Sequence, residues 1–491
     1  MKSLFPIFIV MICVLQGCLK DDAITSGPID IGFSVDTLHF DTVFTQVGSA
    51  TRSFKIYNQE NSDIILSSVE LREGDQSSFR MNVDGIPGQA VSNVRIPEGD
   101  SIYIFIEVTI DPDQPVSESP FVIEEYIDVH IEGYSESILV DAWGQNANYI
   151  PNRFNKGRVY RLDCDNVAWW DDPKPYVIYG LLYIDSCVLN IVGGTEIYIH
   201  GGITRVEDTS GSSRFINDGN IVVGPEGRMV TIGTPDNPVI FSGDRLESEF
   251  NNVRGQWGGI RLLPGSTGTT LTGAIIRNSI FGVYVDSLAE VVISKTQIFN
   301  TSNAGLIAFH AGNVEVTNSL IHSNSTNSVI LSFGGKHNFR YTTLANFGND
   351  REALFMTNHF CYDFPECENW PVNDLDATFV NCIMTGSNRD EVWLSAREEA
   401  RADVMIDHCI IRVEELLDED QYPDFLEDFT MSSLNCNSTD SLFADESNYD
   451  FHLDSLSKAE GRARPLNAIF NDLENTPRDP QNPDIGCYEY Q

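Results

Sequence analysis

From Leu271 onward a six-residue pattern returns again and again. LTGAII begins at Leu271, ISKTQI at Ile293, VTNSLI at Val316, FRYTTL at Phe339, FVNCIM at Phe379 and IDHCII at Ile406. The steps are 22, 23, 23, 40 and 27 residues, and the longest contains an inserted segment, CYDFPECENWPVND. The first position is always apolar, and so is the sixth: Ile276, Ile298, Ile321, Leu344, Met384 and Ile411. The fourth is always small: Ala274, Thr296, Ser319, Thr342, Cys382 and Cys409. The second and third are mainly polar or turn-forming. A period of this length marks a solenoid. If each repeat is one coil, like residues stack about 4.8 Å apart, the spacing of hydrogen-bonded strands. The apolar columns then make one continuous interior, and the small column fits a crowded bend. A lone coil cannot bury its inner face, so stacking supplies the stability.

The same short apolar strands, punctuated by Gly, Asn, Asp and Pro, run back through YVIYGLLYIDS, VLNIVGGTEIYIHGG, GNIVVGPEGRMVTIG and NPVIFSGD. The pattern resembles a right-handed parallel β-helix of the pectate-lyase-like kind, covering residues 149–491. LNIVGGTEIYIHGG is similar to the opening coil of that family, and GQWGGIRL to another recurrent piece. SLFADESNYDFHLDSLSKAEG and PRDPQNPDIGCYEY resemble the tail that closes many bacterial β-helix surface proteins, with Cys487 where that tail often carries Ala. The recurrent LxxLxL of a leucine-rich solenoid is missing. Residues 29–148 read differently. RSFKIYN, IILSSVEL, SIYIFIEVTI and EEYIDVHIEG alternate apolar and polar residues, which puts one face of each strand on a core. An antiparallel β-sandwich is expected there. LHFDTVFTQVGSATRSFKIYN and VDAWGQNAN resemble the opening and close of Ig-like domains of bacterial surface lipoproteins. The fold class expected is therefore all-β, a sandwich followed by a β-helix.

The chain opens MKSLFPIFIVMICVLQGC. One basic residue, Lys2, precedes an apolar run too short for a span of about 20 residues and suited to a secretory signal over residues 1–17. Leu15, Gln16, Gly17 and Cys18 resemble a bacterial lipobox, which implies cleavage before Cys18 and lipid on that residue. Lys20, Asp21 and Asp22 resemble the signal that sends some lipoproteins to the outer face of the outer membrane. Residues 18–28 read as a tether.

Lys plus Arg number 31 against 72 Asp plus Glu, a net charge of −41, or −42 once Lys2 leaves with the signal. Such a surface repels nucleic acid, and it disfavours polyanionic glycans. Beyond Cys13 and Cys18, eight cysteines remain in a protein exported to conditions where disulfides persist. Cys164 with Cys187, and Cys361 with Cys367, are disulfide candidates. Cys382 and Cys409 fall on neighbouring coils, either bonded or as a stacked reduced pair. No spacing suits zinc, so no metal ligand is assigned. No cofactor is expected. The acidic run at 413–429 lacks the ligand spacing of a calcium loop and reads as solvated charge, with a calcium site there as the alternative.

β-Helices often carry polysaccharide along their outer faces, where an acid–base pair would make a catalytic site. Asp407 and His408 are loosely similar to an Ile-Asp-His segment of pectate lyases. They take the second and third repeat positions, with Lys295, Arg340 and Tyr341 in matching columns, and Arg340 lies two coils, about 10 Å, from Asp407. Acid, base and cation could meet there, but the surrounding lyase signature is absent. Asp171 and Asp172 lack the Gly-His-Gly and Arg-Ile-Lys of the glycosidase β-helices and read as a turn before Pro173. Trp169 and Trp170 read as packing of the opening cap, and Trp257 as a core aromatic. The expected function is a surface lipoprotein whose β-helix presents a face to a glycan or a protein partner without catalysis. The alternatives are a polysaccharide lyase or glycoside hydrolase at Asp407/His408, and a purely structural envelope protein.

Overall fold

The computed structural model describes residues 23–490 apart from 45–50, 110–120, 153, 156, 163, 208–212, 364, 418–429 and 438–439. Cys18 lies outside this range, as does most of the acidic run at 413–429. The fold is all-β, and it divides at Asn146/Ala147 into two compact units.

The first unit is a sandwich of two five-stranded sheets. One sheet runs Ile31–Phe33, Arg52–Asn58, Ser101–Val108, Phe79–Val83, Ile86–Pro87, all antiparallel. The other runs Thr37–Phe44, Tyr134–Gln145, Phe121–Ile131, Ile64–Leu71, Ala90–Ile96. It contains one parallel pair, Thr37–Phe44 with Tyr134–Gln145, so the segments expected to open and close the domain lie side by side. Period-two alternation sends Phe54, Ile56, Phe79, Ile104, Ile106, Ile127 and Val140 into the shared core. The tether was expected to reach residue 28, but its described end belongs to the sandwich. Ile24 bridges Ile64 and Ser26 bridges Glu132, because extended backbone beside a sheet edge finds its hydrogen-bond partners there.

The second unit is a right-handed parallel β-helix with three faces, in which successive coils stack in register; Leu306–Thr317 and Val329–Arg340 each run across two faces as one strand. In the coil around residue 290, Val283–Val285 lies on the first face, Glu290–Ser294 on the second and Gln297–Phe299 on the third. On the second face Leu271, Ile293, Val316, Phe339, Phe379 and Ile406 are paired in register. On the third face Ile276, Ile298, Ile321, Leu344, Met384 and Ile411 are likewise aligned. None of these twelve side chains is more than 1% exposed, so the two apolar columns share a dry interior. The 40-residue step is the insertion between Leu354–Thr357 and Leu375–Val380, strands that both pair with Val329–Arg340. Cys361 and Cys367 close a loop within it, with Cα atoms 5.2 Å apart. Cys164 and Cys187 join the opening segment to the first coils across 6.0 Å. Trp170 packs inward on Tyr176, Trp169 points outward, and Trp257 is fully buried, donating its indole N–H to Arg277 O at 2.9 Å.

Cys382 and Cys409, weighed as a disulfide, are thiols. The reason lies in the small column, which forms a hydrogen-bond ladder. Thr296, Ser319, Thr342 and Cys382 each donate to the carbonyl two residues back, at 3.0, 2.9, 3.2 and 3.4 Å. Backbone N–H groups of one coil in turn donate to the side chain of the next: Ala274 to Thr296, Thr296 to Ser319, Cys382 to Cys409 Sγ and Cys409 to Ser433 Oγ. Each sulfur takes the place of a hydroxyl.

Candidate functional site

The third repeat position is the corner between the second and third faces. Gly273, Lys295, Asn318, Tyr341, Asn381, His408 and Ser432 all have φ between 46° and 60°. Gly and Asn adopt this left-handed conformation readily; Lys, Tyr and His do so only where the surroundings over-determine it. Here the surroundings are the C-terminal tail, residues 440–490. Lys295 Nζ hydrogen-bonds Asn475 Oδ1. Asn318 donates to Asn471 O at 2.8 Å and the Tyr341 hydroxyl to Arg464 O at 3.1 Å. Asn381 donates to Arg464 O at 2.7 Å and accepts from Arg464 N at 2.8 Å. Arg478, from the PRDP motif, is buried with its guanidinium carbon 3.9 Å from the Tyr341 ring centre. It donates to Asn318 Oδ1 and Gly486 O and pairs with Glu489 at 3.1 Å.

This changes the reading of Arg340, Asp407 and His408. Their register is as expected: Arg340 pairs with Val380, and Val380 with Asp407. The groove is not there. The Asp407 side chain is 3% exposed, with Oδ1 2.6 Å from His408 Nδ1 and Oδ2 2.7 Å from Arg464 Nη1. Both carboxylate oxygens are engaged, one by the neighbouring His408 and the other by Arg464 of the tail, and Val380 is buried between Asp407 and Arg340. The outer side of the third face explains why the tail lies here. Leu320, Ala345, Ile383 and Ile410 face outward from the coils, and they are buried under Leu442, Phe443, Phe451, Leu453, Leu473 and Ile485 of the tail.

Asp172 Oδ1 accepts from Lys174 N at 2.8 Å, so the Asp171-Asp172 doublet opens a turn. In the acidic run, Glu414 and Glu415 pair with Arg389 at 2.8 and 2.6 Å. Among the described residues no three His, Cys, Asp or Glu side chains converge as a cation site.

Among the described residues, the first face keeps its outer side open. Alternation buries Val283 and Val285 and turns Tyr284 outward. Stacked above Tyr284 are Ile307, Ile330, Phe355 and Trp393, in register on consecutive coils. Four are half-buried by their neighbours, and Trp393 is 43% exposed. At about 4.8 Å per coil the row is about 19 Å long. Arg261 continues it on the preceding coil, stacked 4.7 Å over Tyr284 and paired with Asp286 at 2.7 Å. One flank is polar, with Ser332, Thr357 and Ser395. The insertion stands beside that flank: Phe360 packs edge-on against Phe309 at 5.0 Å, and His359 Nε2 lies 3.1 Å from Ser395 Oγ. This row escaped the sequence reading, which aligned the second and third faces only. Its signal was an aromatic or large aliphatic residue between two buried positions in GVYV, GLIAF, SVILS, ALFMT and EVWLS.

No family model and no curated protein sequence matches the chain. Among solved structures it is similar to a family 123 glycoside hydrolase from Clostridium perfringens, with a TM-score of 0.19 and 8% identity over 40% of this chain and 44% of that one. The chain thus spans less than half the length of that protein. It is also similar to Dex49A from Penicillium minioluteum, with a TM-score of 0.19 and 10% identity over 80% of this chain and 74% of that one. Likeness at this level bears on neither activity nor ligand.

Proposed function

We propose that the protein is a lipid-anchored surface protein that holds a glycan along the first face of its β-helix without cleaving it. The observation that carries this reading is the outward row Tyr284, Ile307, Ile330, Phe355 and Trp393, left open while the tail covers the apolar outer side of the third face. The row is one side chain wide, with Ser332, Thr357 and Ser395 along one flank. A protein interface of the standard kind buries about 800 Å² on each partner, a broader patch than this. A chain of sugar rings offers narrow apolar faces edged by hydroxyls, which matches the row. The net charge of −41 favours a neutral glycan over a polyanion. In this reading lipid on Cys18 ties the protein to the outer membrane, facing outward, and the Ig-like sandwich serves as its spacer.

The test is a panel of neutral and uronic polysaccharides, scored both for binding and for new reducing ends or unsaturated products. Binding without product is expected, and Phe355→Ala with Trp393→Ala should weaken it about tenfold or more, since each buried aromatic contributes on the order of 1 kcal/mol or above. Product formation that disappears in Asp407→Asn would establish the hydrolase or lyase reading instead. No binding at all would leave the structural role.

A further inference from the structure

The sandwich carries a second aromatic surface, on the outer side of the sheet built from Arg52–Asn58, Ser101–Val108 and Phe79–Val83. In SIYIFIEV the three Ile residues point into the core, and the intervening Tyr103 and Phe105 point out, 44% and 39% exposed. Their rings are nearly parallel, 18° apart with centres 5.7 Å apart. The register supplies the surroundings. Lys55 lies opposite Tyr103, with its ammonium 4.6 Å over the ring centre. Asn82 lies opposite Phe105 and Arg80 opposite Glu107. Beside Phe105 opens a cleft of about 570 Å³ lined by Thr51, Arg80, Asn82, Gly85, Pro87 and Glu107.

The polar groups of this cleft are available. Asn82 uses its Oδ1 to accept from Gly85 N at 2.7 Å, which leaves its amide N–H groups directed elsewhere. Arg80 approaches Glu107 only to 3.9 Å, beyond hydrogen-bond distance. Exposed aromatics clustered next to a cleft with convergent donors and acceptors mark a ligand site rather than ordinary surface. The charges select the ligand. Lys55 and Arg80 disfavour a cation, and Glu107 together with the net charge of −41 disfavours a polyanion. What remains is a flat, uncharged ring bearing hydroxyls that both donate and accept.

We propose that this face of the sandwich is a second saccharide site, taking the end of a neutral oligosaccharide with one sugar ring stacked on Phe105 and Tyr103 and its hydroxyls met by Asn82, Arg80 and Glu107. The proposal does not rest on the β-helix row, and the two are separable by variant.

The experiment is calorimetry on the full chain with cellohexaose, mannohexaose and xylohexaose, and with tetragalacturonate as the anionic control. At least one neutral hexaose should bind, and Tyr103→Ala with Phe105→Ala should weaken one class of sites about tenfold or more. Asn82→Ala should weaken the same class by a smaller factor. Phe355→Ala with Trp393→Ala should leave that class unchanged. The proposal is overturned if no neutral hexaose binds, if the Tyr103/Phe105 variant binds all of them as the wild type does, or if tetragalacturonate is preferred. It is equally overturned if the aromatic pair instead mediates self-association, seen as a concentration-dependent mass that the double variant abolishes, with no sugar bound.

Discussion

At the scale of single residues, the small column shows what one position can demand. Position four is always small, and Thr296, Ser319 and Cys409 there also accept a hydrogen bond from the coil before and donate to a carbonyl. Thr342 and Cys382 donate to a carbonyl, while Ala274 is only small. The alternation of small residues was legible in the sequence, but the ladder that makes Cys382 and Cys409 work as thiols was not, because it depends on which way each side chain turns. Burial also pushes the Cys409 thiol well above its ordinary range. Neither cysteine should therefore react with a thiol reagent until the protein unfolds, as mass spectrometry of native and denatured samples will show. Cys409→Ser should be tolerated, whereas Cys409→Val should cost about 1–3 kcal/mol by leaving the Cys382 N–H without an acceptor. Glu391 offers a second test. Its side chain is fully buried, accepting from Ala353 N and Asn388 N at 2.7 Å each, and burial pushes its pKa up to about 7. A carboxyl whose folded value lies above its unfolded value contributes its full stability below the unfolded value, about 4.5, and loses it as pH rises through about 7. The stability of the wild type relative to Glu391→Gln should thus fall by about 3 kcal/mol between pH 4.5 and pH 8, read from denaturant titrations at each pH.

At the scale of elements, the tail is the part whose role the sequence concealed. Its motif was visible and its closing position was expected, but the surface it covers was not. The clue lay in the fifth repeat position, where Leu320, Ile383 and Ile410 are apolar although Gln297 and Thr343 are not. An outward position that is apolar on several coils of a solenoid asks for a cover. Without that clue Asp407, His408, Lys295 and Tyr341 looked like a groove, since a polar corner that docks a peptide and one that docks a substrate use the same residue types. The PRDP and DIGCYEY pieces also make physical sense together. Arg478 ties Glu489 of the last turn to Asn318 of the corner. Gly486, at φ 103°, lies so close to the coil that a Cβ would sit 2.7 Å from Ile383 Cδ1. Arg478→Ala leaves Glu489 buried without its partner and should destabilise the tail by about 3–5 kcal/mol. Limited proteolysis should then cut residues 440–490 while the coils stay intact, and an uncut tail in that variant would mean the dock is held by apolar packing alone.

At the scale of the whole molecule, the sequence made the all-β architecture and the division into sandwich and solenoid legible, because periodicities of two and of about 23 residues are written in the order of apolar residues. What could not be read was which outer surfaces remain bare. The chain must cover one apolar side of the solenoid with its own tail, and it leaves another open; that choice turns on where the last fifty or so residues go. The measurement that tests this most directly is hydroxyl-radical footprinting of the full chain with and without the glycan that binds it best. With the glycan on the first face, Tyr284, Phe355 and Trp393 should lose reactivity, while His408 and Tyr341 should not change. Protection of His408 with Trp393 left as reactive as before would contradict it, and would return the site to the corner beneath the tail.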